Sequence, residues 1–337
     1  MEKLPVKDLI KELVEAHGPS GREDEVVRLV RERIAGKADE ILVTPLGSVH
    51  AIVHKGGSPR LMLSAPMDEG GVIISFVDEN GFARFRPMGA LDANACLGQA
   101  VRFNDGVVGV IGADRREDRD KSLTLERLFL DFGSGSKGDC PVKVGDFGAF
   151  GRSFLQLGQR LAARGMESRV ALAVLLATLH RMPRTPLELQ LAFTVQSEAG
   201  ARGAATSAFA LDPEVGIALD TTPAGDTPQG SRSAVRLGKG PAIKIRDSSM
   251  ISDPRVVKLM ARRAEGARIP YQRQVLESES QEARAIQIAR AGVAVAGLSI
   301  PCRYAHTASA MVDLDDVENA VRLLIEIVRR PMDLACR

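Results

Sequence analysis

No tryptophan occurs in the 337 residues, and aromatic side chains make up only 4% of them. That scarcity argues against base-stacking platforms for nucleic acid and against aromatic platforms for sugars. Charge of one sign is also missing: 45 basic and 43 acidic residues leave a formal charge of +2, so no long-range field draws the chain to nucleic acid or to an anionic membrane. The four cysteines, Cys96, Cys140, Cys302 and Cys336, lie far apart with no CxxC pair. This favours reduced thiols over a disulfide frame or a thiolate zinc site. No run approaches the roughly 20 apolar residues of a membrane span. The opening "MEKLPVKDLIKELVEAHG" is charged and amphipathic, without a signal-peptide core. Together these features predict a cytoplasmic protein with no membrane and no nucleic-acid partner.

What is present is an α/β rhythm interrupted once. Ser20-Gly21-Arg22-Glu23 has capping-box spacing ahead of Val26, Val27, Val30 and Ile34, which recur at helical spacing. Strand-like runs "EILVTPLG", "SVHAIVHKGG" and "PRLMLSAP" follow. From 73 to 152 short β-like runs such as "GVIISFVD" and "GFARFRPM" alternate with glycine-rich turns, which predicts an inserted small β-barrel or sandwich. The charge run Asp114–Lys121 within it reads as a solvated loop. The α/β pattern then resumes. A helix is predicted from near Ser168, a strand over Leu187–Gln196, a small-residue helix, and a strand ending at Asp220. A last helix is predicted to begin near Asp315-Asp316, whose charge suits a helix N-terminus.

Ligands of open α/β sheets bind beyond the carboxyl ends of the strands. Asp68 and Glu69 in "LSAPMDEGG", Ser197 and Glu198 after "LELQLAFTVQ", Asp220 after "EVGIAL", and His306 after "LSIPCRYA" all fall at such ends. Carboxylates and imidazole bind zinc, cobalt or manganese, and paired metals activate a bridging water. Each residue alone has a plainer reading, as a helix cap or a structural hydrogen-bonder. A metal site, present or ancestral, and a set of structural caps are both open on these residues. Cys302, close to His306, reads as a buried structural thiol rather than a nucleophile.

At the same residues the sequence resembles the tetrahedral aminopeptidases, dinuclear metallopeptidases that also carry glutamyl-aminopeptidase and endoglucanase-like labels. The resemblance runs through "GPSGRE", "MDEGG", "DENGFARFRPMGA", "VQSEAGARGA", "GIALDTTPAGDTP", "LGKGPAI" and "SIPCRYAHT". It implies an aminopeptidase-type three-layer sandwich with a mixed sheet, residues 1–72 and 153–337, plus a small β-barrel domain, residues 73–152. It implies peptide substrates and a dimer-based homo-oligomer of up to twelve chains. It also implies one or two zinc, cobalt or manganese ions, to be held here by Glu167, Glu198, Asp220 and His306. Asp68 matches the residue that orients the first metal histidine, but that histidine's position is Pro66. The bridging aspartate is matched by Glu167 and the general base by Ser197, a hydroxyl too weak for that task. Glu282, Arg303 and Tyr304 fall in blocks near the substrate site. The resemblance thus implies an aminopeptidase with reduced or lost activity, or a non-catalytic structural, regulatory or peptide-binding subunit with no ion bound. Polysaccharide hydrolysis rests on a label alone, without a matched acid pair.

Overall fold

The computed structural model describes residues 5–103, 106–114, 122–151, 153–228, 230, 233–277 and 281–332. Its centre is an eight-stranded mixed sheet. In spatial order the strands are Glu40–Val43, Val49–Val53, Glu188–Thr194, Arg60–Pro66, Val215–Pro223, Ala294–Cys302, Ala242–Arg246 and Gln272–Val275. The four central strands are mutually parallel, so the ends bearing Pro66, Thr194, Pro223 and Cys302 lie along one edge. Their near-continuous burial fits strands covered on both faces. The strand–helix–strand unit expected around Glu188–Pro223 is present, with the Arg60–Pro66 strand lying between its two strands.

Helices cover both faces. On one side Val6–Glu15, Asp24–Ile34, Met166–Arg181, Pro254–Gly266 and Leu314–Val328 enclose the larger apolar core. Met166–Arg181 is buried almost all round, as its unbroken apolar sequence requires. On the other side Arg202–Leu211 and Gln281–Gln287 pack on a smaller core of Met62, Ala192, Ala218, Ile286 and Val295. The chain is therefore a three-layer sandwich. Between Gly71 and Phe150 six antiparallel strands close a barrel with its own core, including Val72, Phe85, Val101, Leu130 and Phe150.

Two local expectations are corrected. The capping box at Ser20 does not form: the helix begins at Asp24, its N-cap Glu23 makes no side-chain cap, and the Glu23 carboxylate instead accepts the N–H groups of Gly21 and Gln196. The long central helix begins at Met166, two residues before Ser168, which puts Glu167 in its first turn. The last helix starts at Leu314, but Asp316 does more than face a helix dipole. Fully buried, it grips the N–H groups of Gly238 and Gly240 at 2.7 and 2.6 Å. Of the charge run at 114–121, all but Asp114 lies outside the described residues. Among the described residues no helix is long and apolar enough to cross a membrane.

Candidate active-site cleft

The aligned strand ends open into a cleft of about 570 Å³. Pro66, Asp68, Glu167, Ser197, Glu198, Asp220 and His306 all line it, with Gly89 and Ala90 supplied by the barrel side and Lys244 by the far side. The sequence-predicted residues thus meet in one place, although they come from five separate segments of chain.

Asp68 shows how the floor is fixed. It is fully buried, and its two oxygens accept the N–H groups of Ser197 and Glu198, each at 2.9 Å. With Glu23 holding the N–H of Gln196, three successive backbone donors after the Glu188–Thr194 strand end on buried carboxylates. Gln196 itself is left-handed, φ 55°, a strained setting for a residue with a side chain. The acids are what hold that turn in place. The same turn is tied to the long helix, because the Ser168 hydroxyl donates to the Asp68 carbonyl. Burial pushes the carboxyl of Asp68 up, opposed by the N–H groups of Glu198 and Ser197. Glu69 forms an enclosed ion pair with Arg169 at 3.1 Å and lines a small pocket that adjoins the cleft, together with Glu167, Glu198 and His306.

Glu198 is strongly perturbed. Burial, then the charges of Asp68, Glu167 and Asp220, push it up to about 8. Its carboxylate lies hard against Gly89: a Cβ there would stand 2.0 Å from Oε2. Glu167 accepts the backbone N–H of His306, which is exposed and left-handed at φ 63°. These acids crowd together on one cavity, and mutual repulsion is the expected result.

Not every predicted residue faces the cleft. Glu282 is buried between strands, accepting the hydroxyls of Ser64 at 2.6 Å and Thr194 at 3.1 Å, and burial pushes it up to about 7. Arg303 is engaged by Asp226 through two contacts of 2.7 Å. Tyr304 is half exposed beside it. Cys302 is buried, and burial drives its thiol pKa upward, as for a structural thiol.

The donors do not meet as a metal site. Among the described residues no three of His, Cys, Asp or Glu are placed to hold an ion. Pro66 has no donor atom, Asp68 is committed to two N–H groups, and Glu167 to one. Sequence reasoning missed Gly89, Ala90 and Lys244. The lysine in "AIKIR" could have been noticed as a charged residue inside an otherwise apolar strand.

Comparison with known proteins agrees with this architecture. The family model described as M42 glutamyl aminopeptidase matches residues 47–323. The chain belongs to the M42 aminopeptidase family. A putative aminopeptidase of Acetivibrio thermocellus is 36% identical over 97% of this chain and 100% of its own length. Among solved structures, the M42 fold seen here is shared with aminopeptidase APDkam598 of the archaeon Desulfurococcus kamchatkensis, at TM-score 0.91 and 36% identity over 97% of this chain and 95% of that one. It is also shared with Pyrococcus horikoshii TET1 peptidase, which can assemble into a tetrahedron or a large octahedral shell, at TM-score 0.85 and 28% identity over 96% and 99%.

Proposed function

We propose that this M42 chain binds peptides by their N-termini in the acidic cleft, and that metal-activated release of the N-terminal residue is reduced or lost. The observation that carries the proposal is the identity of three residues on one cavity: Pro66, Glu167 and Ser197. Proline offers no ligand. Glu167 reaches one methylene beyond an aspartate and is engaged by the N–H of His306. The Ser197 hydroxyl is neutral near pH 7, and general-base assistance is worth roughly 10²–10⁴-fold in rate. Glu282 is no substitute base, since it is buried and held by Ser64 and Thr194, and Glu69 is engaged by Arg169.

In this reading residues 1–72 and 153–337 are the catalytic unit, and 73–152 form a barrel that walls the cleft through Gly89 and Ala90. The chain is a homo-oligomer, as the assembling relative suggests, and its widely spaced cysteines fit the reducing cytoplasm. If an ion enters, Glu167, Glu198, Asp220 and His306 are the residues to hold it, and zinc, cobalt or manganese suits that donor set. With activity fully lost, the chain is a peptide-binding or structural subunit.

Elemental analysis after dialysis against each of the three metals tests the proposal. Less than one ion per wild-type chain is expected, rising toward two in the Pro66→His, Glu167→Asp, Ser197→Glu triple variant. Two tightly held ions per wild-type chain would overturn it.

A further inference from the structure

The loop that carries His306 is tied down at its base by Asp226 and Arg303. We propose that these two are a positioning pair: they hold the loop in the strained shape that sets the His306 imidazole against the bound peptide. For its ligand the inference rests on the peptide-binding reading above. In sequence Arg303 falls in a block near the substrate site, yet two of its nitrogens are engaged within the chain. Nε donates to Asp226 Oδ1 and Nη2 to Oδ2, each at 2.7 Å. A two-point contact of this kind fixes angle as well as distance. The Arg303 side chain is 18% exposed and that of Asp226 11%, so the pair is largely shielded from water. Asp226 Oδ2 also accepts the N–H of Leu237 at 3.1 Å.

Arg303 closes the loop through its backbone. It exchanges N–H and C=O contacts with Met311, both at 2.9 Å, so that residues 304–310 form the tip. Two of these take left-handed backbones without being glycine: Tyr304 at φ 56° and His306 at φ 63°. Such a setting persists only where the surroundings over-determine it. Inside the tip, Thr307 donates its N–H and its hydroxyl to the Tyr304 carbonyl, at 3.2 and 2.7 Å. The N–H of His306 is held by Glu167. The base supplies the remaining constraint, and there the ion pair fixes where the chain leaves its strand.

The pair also joins three parts of the cleft. Asp226 lies just beyond the strand that delivers Asp220, where the N–H of Ala224 is held by the Cys302 carbonyl at 2.8 Å. Arg303 directly follows the neighbouring strand, Ala294–Cys302. Met311 pairs with Ala162, on the strand that runs into the helix bearing Glu167. The spacing of Asp220, His306 and Glu167, which all line the cleft, thus depends on one ion pair that does not. His306 is exposed. An imidazole offers one donor and one acceptor, which suits the first amide of a peptide whose ammonium meets the acids.

Two variants of the full chain test this. Asp226→Asn keeps the shape and loses the charge, and Arg303→Lys keeps the charge and loses the fork. Hydrogen exchange followed by mass spectrometry should show residues 303–309 exchanging about tenfold or more faster in both, with the Glu188–Thr194 strand unchanged. Calorimetric titration with Ala-Ala-Ala amide should show about tenfold weaker binding in both. Neither substitution should weaken binding further once His306→Ala is present, because the pair acts through that residue. A merely structural role would weaken binding in either background. Unchanged loop exchange, or losses that add to that of His306→Ala, would overturn the inference. So would general unfolding of both variants, since a pair that acts on the loop leaves the core intact. Absence of peptide binding by the wild-type chain would overturn the peptide-binding reading, and the exchange result would then decide the loop claim by itself.

Discussion

Replacing Arg169 with methionine should be among the most damaging single changes in the chain. Arg169 is 1% exposed and Glu69 3%, and they pair at 3.1 Å in the large core. The guanidinium also donates to the carbonyls of Ala16 and Gly18. Gly18 is a glycine for this reason: a Cβ there would come 3.0 Å from the Arg169 Nη2 and 2.8 Å from Val26 Cγ2. Breaking a buried pair by removing one partner costs about 3–5 kcal/mol, because the remaining charge stays buried. Arg164 lies close enough to sense the Glu69 charge, which offsets part of that cost and places the expectation near the lower end, about 3 kcal/mol. The Glu69→Gln, Arg169→Met double variant removes both charges and should recover most of the loss. Urea unfolding of wild type, both single variants and the double variant completes the cycle. An Arg169→Met cost below about 1 kcal/mol, or a double variant no better than that single one, would refute the reasoning.

Two further outcomes follow from the cleft. Gly89→Ala combines a left-handed backbone, φ 86°, with a Cβ 2.0 Å from Glu198, so it should cost about 1–3 kcal/mol in urea unfolding and displace the Glu198 carboxylate in a crystal structure of the variant. Glu282 is raised from 4.5 to about 7, so the folded chain holds a proton that the unfolded chain has released. Its contribution is fully present below pH 4.5 and fades as pH rises through 7, a change of about 3 kcal/mol that Glu282→Gln should remove from the stability–pH curve.

The larger plan was legible because its signals are periodic or punctuated. Alternation in "LELQLAFTVQ" and unbroken burial of "ALAVLLATL" reflect a strand and a helix whose surroundings leave little choice. The change of texture near residue 73 marks a separate core with its own small residues. Strand ends can be read as a site edge because parallel strands must deliver their carboxyl ends together. What could not be read was where side chains turn once delivered. Asp68 looks like a catalytic acid in sequence, yet both of its oxygens are spent on the turn that carries Ser197 and Glu198. Glu23 has the spacing of a capping box but reaches across the fold to Gln196. Glu282 and Arg303 sit in blocks near the site, but one descends between strands and the other meets Asp226. Each of these outcomes depends on a partner more than seventy residues away, which no local pattern encodes.

The central claim is that an inherited peptidase cleft carries three residues unsuited to hydrolysis. Rates of N-terminal residue release from short peptides, measured for wild type and for the Pro66→His, Glu167→Asp, Ser197→Glu variant with zinc, cobalt or manganese supplied, test it most directly. The account predicts a wild-type rate at least about 10²-fold below that of the variant. A wild-type rate equal to or above the variant's would contradict it.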